Sequence, residues 1–248
     1  VKIRPPPKGG GGGGKPPAAV NLAHRAALEG HRVLVWDLDP QGAATFYFRV
    51  KPKVKGGGEA LVSGTRELDR AVKGTDFDNL DLVPADFSYR NLDLLLDDAK
   101  KPLGRLSKLL APMKSDYDIV VLDCPPSISL ASEAVFRASH ALVVPIIPTT
   151  LSARTFDQID GFVTEHPDTV KKLKIMGFFS MVDARKRLHR EMVEELRAKR
   201  PTLLETPIPS ATDVERMGVH RAPVSAYAPT SRAAKAYAAL WSEITDRL

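Results

Sequence analysis

The chain has 248 residues, 43% of them hydrophobic and 27% charged; this is ordinary globular usage with ample length for a sizeable core, and it excludes a disordered, collagen-like or membrane-spanning class. Its net charge is +6, but Lys2, Arg4, Lys8 and Lys15 supply four of those charges within residues 1–17, leaving 32 basic and 30 acidic residues in the remainder, so the body is nearly neutral and charge alone does not argue for a nucleic-acid partner. Cys124 is the only cysteine; this excludes an intrachain disulfide and a thiolate-held metal centre, reads as a small buried hydrophobe, and suits a reducing, cytoplasmic setting.

In chain order, residues 1–17 hold 11 of the 37 prolines and glycines. Pro5, Pro6 and Pro7 stand where a first core strand is expected, and prolines there would remove ladder donors. No apolar leader-like core precedes them, so no signal peptide is expected. Gly9, Gly10, Gly11, Gly12, Gly13 and Gly14 are followed by Lys15, Pro16 and Pro17, and then by a helical pattern with Ala19, Leu22, Ala23 and Ala26 on one face and Gly30 as its C-cap. A glycine run feeding a lysine and a helix is the layout of a phosphate-cradling loop: backbone N–H groups converge on the anion and the lysine reaches its outer oxygens. A glycine run is also the composition of a flexible linker.

A strand is expected over residues 32–36, running into Asp37-Leu38-Asp39-Pro40-Gln41-Gly42. Residues 51–58 (KPKVKGGG) read as a mobile surface loop. Further strands are expected over 80–83, 119–122, 141–146 and 173–179, and helices over 103–113, 131–138, 153–163 and 187–199. Thr212 with Glu215 reads as a capping box, and a last helix from about Ser231 presents Tyr237, Leu240, Trp241 and Ile244 on one face. This alternation predicts an α/β fold: a single doubly wound, mainly parallel β-sheet flanked by helices, forming one domain over residues 1–248. Asp37 and Asp39, two apart on extended backbone, share a face, and the 119–122 strand ends in Asp123-Cys124-Pro125-Pro126. Three carboxylates at one strand-end edge beside a lysine-bearing phosphate loop suit Mg²⁺.

The pieces AAVNLAHRAALEGHRVLVWDLDPQGAAT, NLDLVPA, YDIVVLDCPPS, ALVVPIIPTTLSA and PTSRAAKAYAALWSEI together resemble the ParA/MinD family of deviant Walker-type P-loop ATPases, most closely its ParA (Soj) partitioning branch. The resemblance spans nearly the whole chain. It implies a P-loop NTPase fold of the SIMIBI type, ATP and ADP as ligands, and Mg²⁺. By it, Gly11, Gly12, Gly13, Gly14 and Lys15 cradle the phosphates, with Pro16 and Pro17 at the next two positions of that loop. Asp39 positions the attacking water, Asp123 holds Mg²⁺ through water, and Asp37 supports the metal site. Met181, Asp183, Pro207 and Pro209 fall in the base-contacting segments.

The loop departs from the family pattern KGGVGK[ST][ST]. Pro16 and Pro17 replace the two hydroxyl residues, removing an Mg²⁺ ligand and two N–H donors and delaying the helix start. Gly10 replaces the signature lysine that crosses a dimer in this family. Residues 1–17 are therefore at odds with the fold that residues 18–248 specify, which leaves a non-hydrolysing binding module, or a misread stretch of C- and G-rich codons, beside the active switch.

The family's partners are a second copy of the chain, non-specific DNA and a ParB-like adaptor, with association to the nucleoid. Arg185, Lys186, Arg187 and Arg190, in a basic run to Arg200, are the DNA candidates, with Arg216 and Arg221 weaker. The alternative for the run is a salt-bridged solvated helix face. MinD-type membrane targeting is disfavoured, because the C-terminus carries Glu243 and Asp246 against Arg247. An amidoligase-like activity of the same superfamily is a third reading, disfavoured by the DLDPQG and DCPPS matches.

Overall fold

The computed structural model describes residues 2–3 (backbone), 18–125, 129–167, 170 and 173–248. Seven strands form one sheet: β1 (Lys2–Ile3), β2 (Val33–Asp37), β3 (Lys73–Gly74), β4 (Leu80–Val83), β5 (Ile119–Asp123), β6 (Ala141–Ile146) and β7 (Lys174–Phe179). Their order is β3-β4-β2-β5-β1-β6-β7, parallel throughout except for the antiparallel edge strand β3.

Strict side-chain alternation divides the core. Val33, Val35, Leu82, Val143, Met176 and Phe178 face one layer, with the helices Ala18–Leu28 and Arg232–Arg247 over them. Leu34, Trp36, Val83 and Leu122 face the opposite layer, under the helices Leu92–Asp97, Arg105–Leu110 and Leu130–Ala138. Leu142, Val144, Ile146 and Phe179 continue that second face beneath the helix Thr150–Glu165. Burial on both faces is why these strands are uninterrupted apolar runs.

The N-terminal end of the sheet is clamped. The Arg32 guanidinium donates to both Asp118 carboxylate oxygens (2.7 and 3.2 Å), Arg32 N donates to Asp118 Oδ2 (2.8 Å), and Asp118 N donates back to Arg32 O (2.9 Å). This holds Val33 opposite Ile119 and therefore, four residues on, Asp37 opposite Asp123.

Several expectations are corrected. Lys2–Ile3 form a strand paired to β5 and β6, and Pro5, Pro6 and Pro7, expected in the place of the first core strand, lie outside the described residues. Residues 51–58 are pinned: Val54 is buried and donates its N–H to Asp86 Oδ2 (2.9 Å), Gly58 N donates to Ser88 Oγ (2.7 Å), and a helix, Gly57–Ser63, begins within the stretch. The expected helix over 103–113 is α only for Arg105–Leu110, with single 3₁₀ turns on either side. Thr212 is the first helical residue after an Ala211 N-cap whose side chain makes no capping bond, so there is no capping box. Ser231, by contrast, caps the last helix by accepting from Ala234 N (3.1 Å).

Candidate functional site

The acids expected to do chemistry meet at the C-terminal edge of β2 and β5. In the register of the sheet Asp123 lies between Asp37 of β2 and Ile3 of β1. Leu38 N donates to Asp123 O (2.8 Å), joining the two strand ends past the last rung of the ladder.

Asp37 is fully buried. Its Oδ2 accepts from Thr45 N (2.8 Å) and Thr45 Oγ1 (2.7 Å), and its Oδ1 from Asp39 N (3.3 Å). Burial pushes its pKa up to about 6, against the lowering effect of the Thr45 bonds. Both oxygens thus have protein partners. Asp39 is only half-buried; its Oδ1 accepts from Gln41 N (2.9 Å) and its carbonyl from Gly42 N (2.8 Å), a turn that aims the chain into the helix Ala43–Tyr47. That turn requires Gly42, which has φ +65° and whose added Cβ would meet Ala85 Cβ at 3.3 Å.

Thr45 is the functional residue that the sequence reading missed. Its hydroxyl donates to Asp37 and accepts from Ala85 N (2.8 Å), linking the acid to the segment after β4. A small hydroxyl residue one turn into the helix that follows an aspartate-rich strand end is the signal that could have found it.

Beside this edge, Leu38, Pro40, Tyr89, Cys124 and Pro125 help line a cleft of about 280 Å³. Cys124 is buried with Sγ 3.8 Å from Leu122 O, the packed thiol that the sequence suggested. Met181 and Asp183 are brought together with Pro207 and Pro209: Val182 N donates to Ile208 O and Ser210 N to Val182 O, both at 3.0 Å, so the two segments run side by side beyond β7. Met181 adopts φ +58°, uncommon for a side-chain-bearing residue. The Arg185 guanidinium holds the Asp183 carboxyl down at about 2.

Gly11, Gly12, Gly13, Gly14, Lys15, Pro16 and Pro17 lie outside the described residues, as do residues 126–128 at the end of the DCPPS motif. The helix that follows the loop begins at Ala18, directly after both prolines. Among the described residues no three of His, Cys, Asp and Glu form a group that could hold a metal ion.

Much of the basic run is ion-paired at the surface. Arg185 pairs with Asp183 (3.0 Å), Arg187 with Glu191 (2.6 Å), Lys199 with Glu195 (2.6 Å), Arg200 with Asp157 (2.6 Å) and Arg197 with Glu205 (3.6 Å). Arg190 donates to Ala184 O (2.6 Å), and Lys186 forms no ion pair among the described residues. Arg221 lies over the Phe46 ring (4.7 Å to its centre), and Arg216 is exposed. The apolar face of the last helix packs on the first: Trp241 is buried and its Nε1 donates to Glu29 Oε2 (2.8 Å). Among the described residues no helix is long and apolar enough to cross a membrane.

A family described as AAA domain matches residues 7–175, a span that includes the glycine run. The chain is similar to the sporulation initiation inhibitor protein Soj of Bacillus subtilis, 30% identical over 232 residues covering 91% of each chain. It is 29% identical over 247 residues to the chromosome-partitioning ATPase Soj of Treponema pallidum, covering 93% of this chain and 91% of the other. Among solved structures, cobyrinic acid a,c-diamide synthase from Mycobacterium smegmatis with bound ADP and magnesium superposes with a TM-score of 0.81 at 24% identity, covering 99% of this chain and 94% of that one, a likeness of fold.

Proposed function

Because the chain belongs to the ParA/MinD family of P-loop ATPases, we propose that it is an ATP-dependent partitioning switch, in which residues 1–248 act as one unit that binds Mg·ATP, pairs with a second copy, associates with DNA and resets by hydrolysis. The observation that carries this reading is the register at the centre of the sheet, which sets Asp37 against Asp123 and Asp123 against Ile3.

The donor set fits a metal held mostly through water. Asp37 has its oxygens committed to Thr45 and Asp39, so it orients and charges the site rather than replacing a water. Asp123, at the end of β5, would accept from metal-bound water, the role that the family resemblance implies. Mg²⁺ there would neutralise charge on the transferring phosphoryl group. Gly11, Gly12, Gly13 and Gly14 donate backbone N–H groups to the phosphates and Lys15 adds a cation. Asp39, in its turn beyond the strand end, aligns the attacking water, so the residues contribute position and charge rather than covalent chemistry. Met181, Asp183, Pro207 and Pro209 border the base. A ParB-like adaptor would act on the assembled dimer.

A second reading is a module that binds without turnover, and Pro16 is the residue that favours it, since it has no hydroxyl for the metal and no N–H for a phosphate oxygen. The similarity to the Mycobacterium smegmatis synthase is one of fold and does not revive the amidoligase reading. ADP release at saturating Mg·ATP separates the first two. The switch requires slow turnover that Asp39→Ala abolishes while leaving Mg·ATP binding within about twofold. No ADP from the unaltered chain would leave the binding module, and loss of binding together with turnover in Asp39→Ala would contradict the role given to Asp39.

A further inference from the structure

Residues 49–73 hold seven cations against three acids in a body that is otherwise nearly neutral. From Arg49 to Lys55 cations and other residues alternate. In this irregular stretch Val54 is buried and Val50 half-buried, while Arg49, Lys51, Lys53 and Lys55 are exposed. Those four side chains form one wall of a cleft of about 500 Å³; Arg66 and Arg70 line another, and Lys73, on the edge strand β3, a third. None of the residues lining the cleft is acidic.

Two of these cations pair with acids within the fold. Arg49 pairs with Asp76 (3.3 Å) and donates to the carbonyls of His220 and Arg221, and Arg70 meets Glu67 at 3.5 Å on the rim. Lys51, Lys53, Lys55 and Lys73 form no ion pair with a carboxylate among the described residues. Arg66 Nη2 donates to Arg70 O, while its Nε is buried without a hydrogen-bond partner. The helix Arg187–Lys199 is the internal contrast: its cations alternate with acids and mostly pair with carboxylates, as a solvated face should. Converging cations without acids repel one another, and an anion relieves that cost.

We propose that this cleft binds a compact polyphosphorylated anion, at a site that shares no lining residue with the acidic edge of β2 and β5. The volume lies in the range of roughly 300–1,000 Å³ that encloses small ligands. A duplex presents its phosphates along a convex surface, which a concavity of this size does not follow. The cleft wall also touches the other site at one remove. Asp86 accepts from Val54 N, and its neighbour Ala85 donates to Thr45, which holds Asp37.

The probe is inorganic tripolyphosphate, titrated calorimetrically into the full chain carrying Lys15→Ala, so that the phosphate loop is weakened and the two sites are told apart. The expected result is one salt-sensitive site per chain that Lys53→Glu with Lys73→Glu weakens by about tenfold or more, the worth of one charge-assisted contact. Lys51→Glu with Lys55→Glu should do the same, and Arg187→Glu should change it less than about twofold. All four lysines are exposed, so these variants keep the core intact. The proposal is overturned if Lys15→Ala alone removes the binding, or if neither lysine pair weakens it. It is equally overturned if tripolyphosphate fails to bind while a 20-base-pair duplex binds and is lost in the same variants, which would make the cleft a surface for DNA.

Discussion

At Thr45 one hydroxyl donates to Asp37 Oδ2 and accepts from Ala85 N, both below 3 Å and both fully buried. Removing it leaves a buried carboxylate oxygen and a backbone N–H each short of a partner, whereas a shorter hydroxyl residue keeps both bonds. Thr45→Val, nearly isosteric, is therefore expected to destabilise the chain by about 2–3 kcal/mol, and Thr45→Ser by less than about 1 kcal/mol. Urea unfolding measures both. Equal losses in the two variants would mean that Thr45 acts through its methyl packing. The motif DLDPQGAAT displays Asp37 and Asp39 as chemistry, but the role of its last residue depends on a contact to Ala85, forty positions away, which no local pattern carries.

Among the elements, legibility followed length and burial. The five strands expected from apolar runs are all present within a residue or so at their ends, because a strand covered on both faces leaves an uninterrupted Val/Ile/Leu signature. β1 and β3 have two residues each and no such signature. Lys73 and Gly74 would suit any surface turn, and Lys2–Ile3 is too short to carry an apolar run. The first helix was legible through its face and Gly30, which adopts φ +90°. Its buried His24 was not. The ring shares a 2.8 Å hydrogen bond with Ser225 Oγ and meets Phe77 edge-on, and burial, helped by Arg25, lowers its pKa to about 4. Below pH about 6.5 the unfolded chain takes up a proton that the folded helix refuses until about 4. Stability from this group is therefore complete at neutral pH and is lost as pH falls through that window, by on the order of 3 kcal/mol. Asp37, with its raised pKa, contributes in the opposite sense between about 4 and 6. The comparison of the unaltered chain with His24→Gln isolates the histidine: the difference in unfolding free energy should shrink from pH 7 to pH 4.5. A constant difference would show that His24 is not held neutral.

Over the whole molecule, the topology does what no single element does. It sets β5 between β2 and β1, so that Asp37 and Asp123 meet at one edge with Ile3 beside Asp123, and it places the last helix across the first so that Trp241 is core rather than anchor. The acidic edge was legible because its residues lie in two short motifs. The cationic cleft was not, because its walls come from three segments that meet only in the fold, and the nearly neutral balance of residues 18–248 hid them. The surplus of charge, proline and glycine near the N-terminus bears on the same central claim, that a chain with Pro16 and Pro17 beside its glycine run still binds Mg·ATP. Calorimetric titration of the full chain with Mg·ATP tests it most directly. The expected result is one nucleotide per chain, with affinity that falls when EDTA removes Mg²⁺ and that survives Asp39→Ala. Absence of binding at millimolar nucleotide would contradict the account.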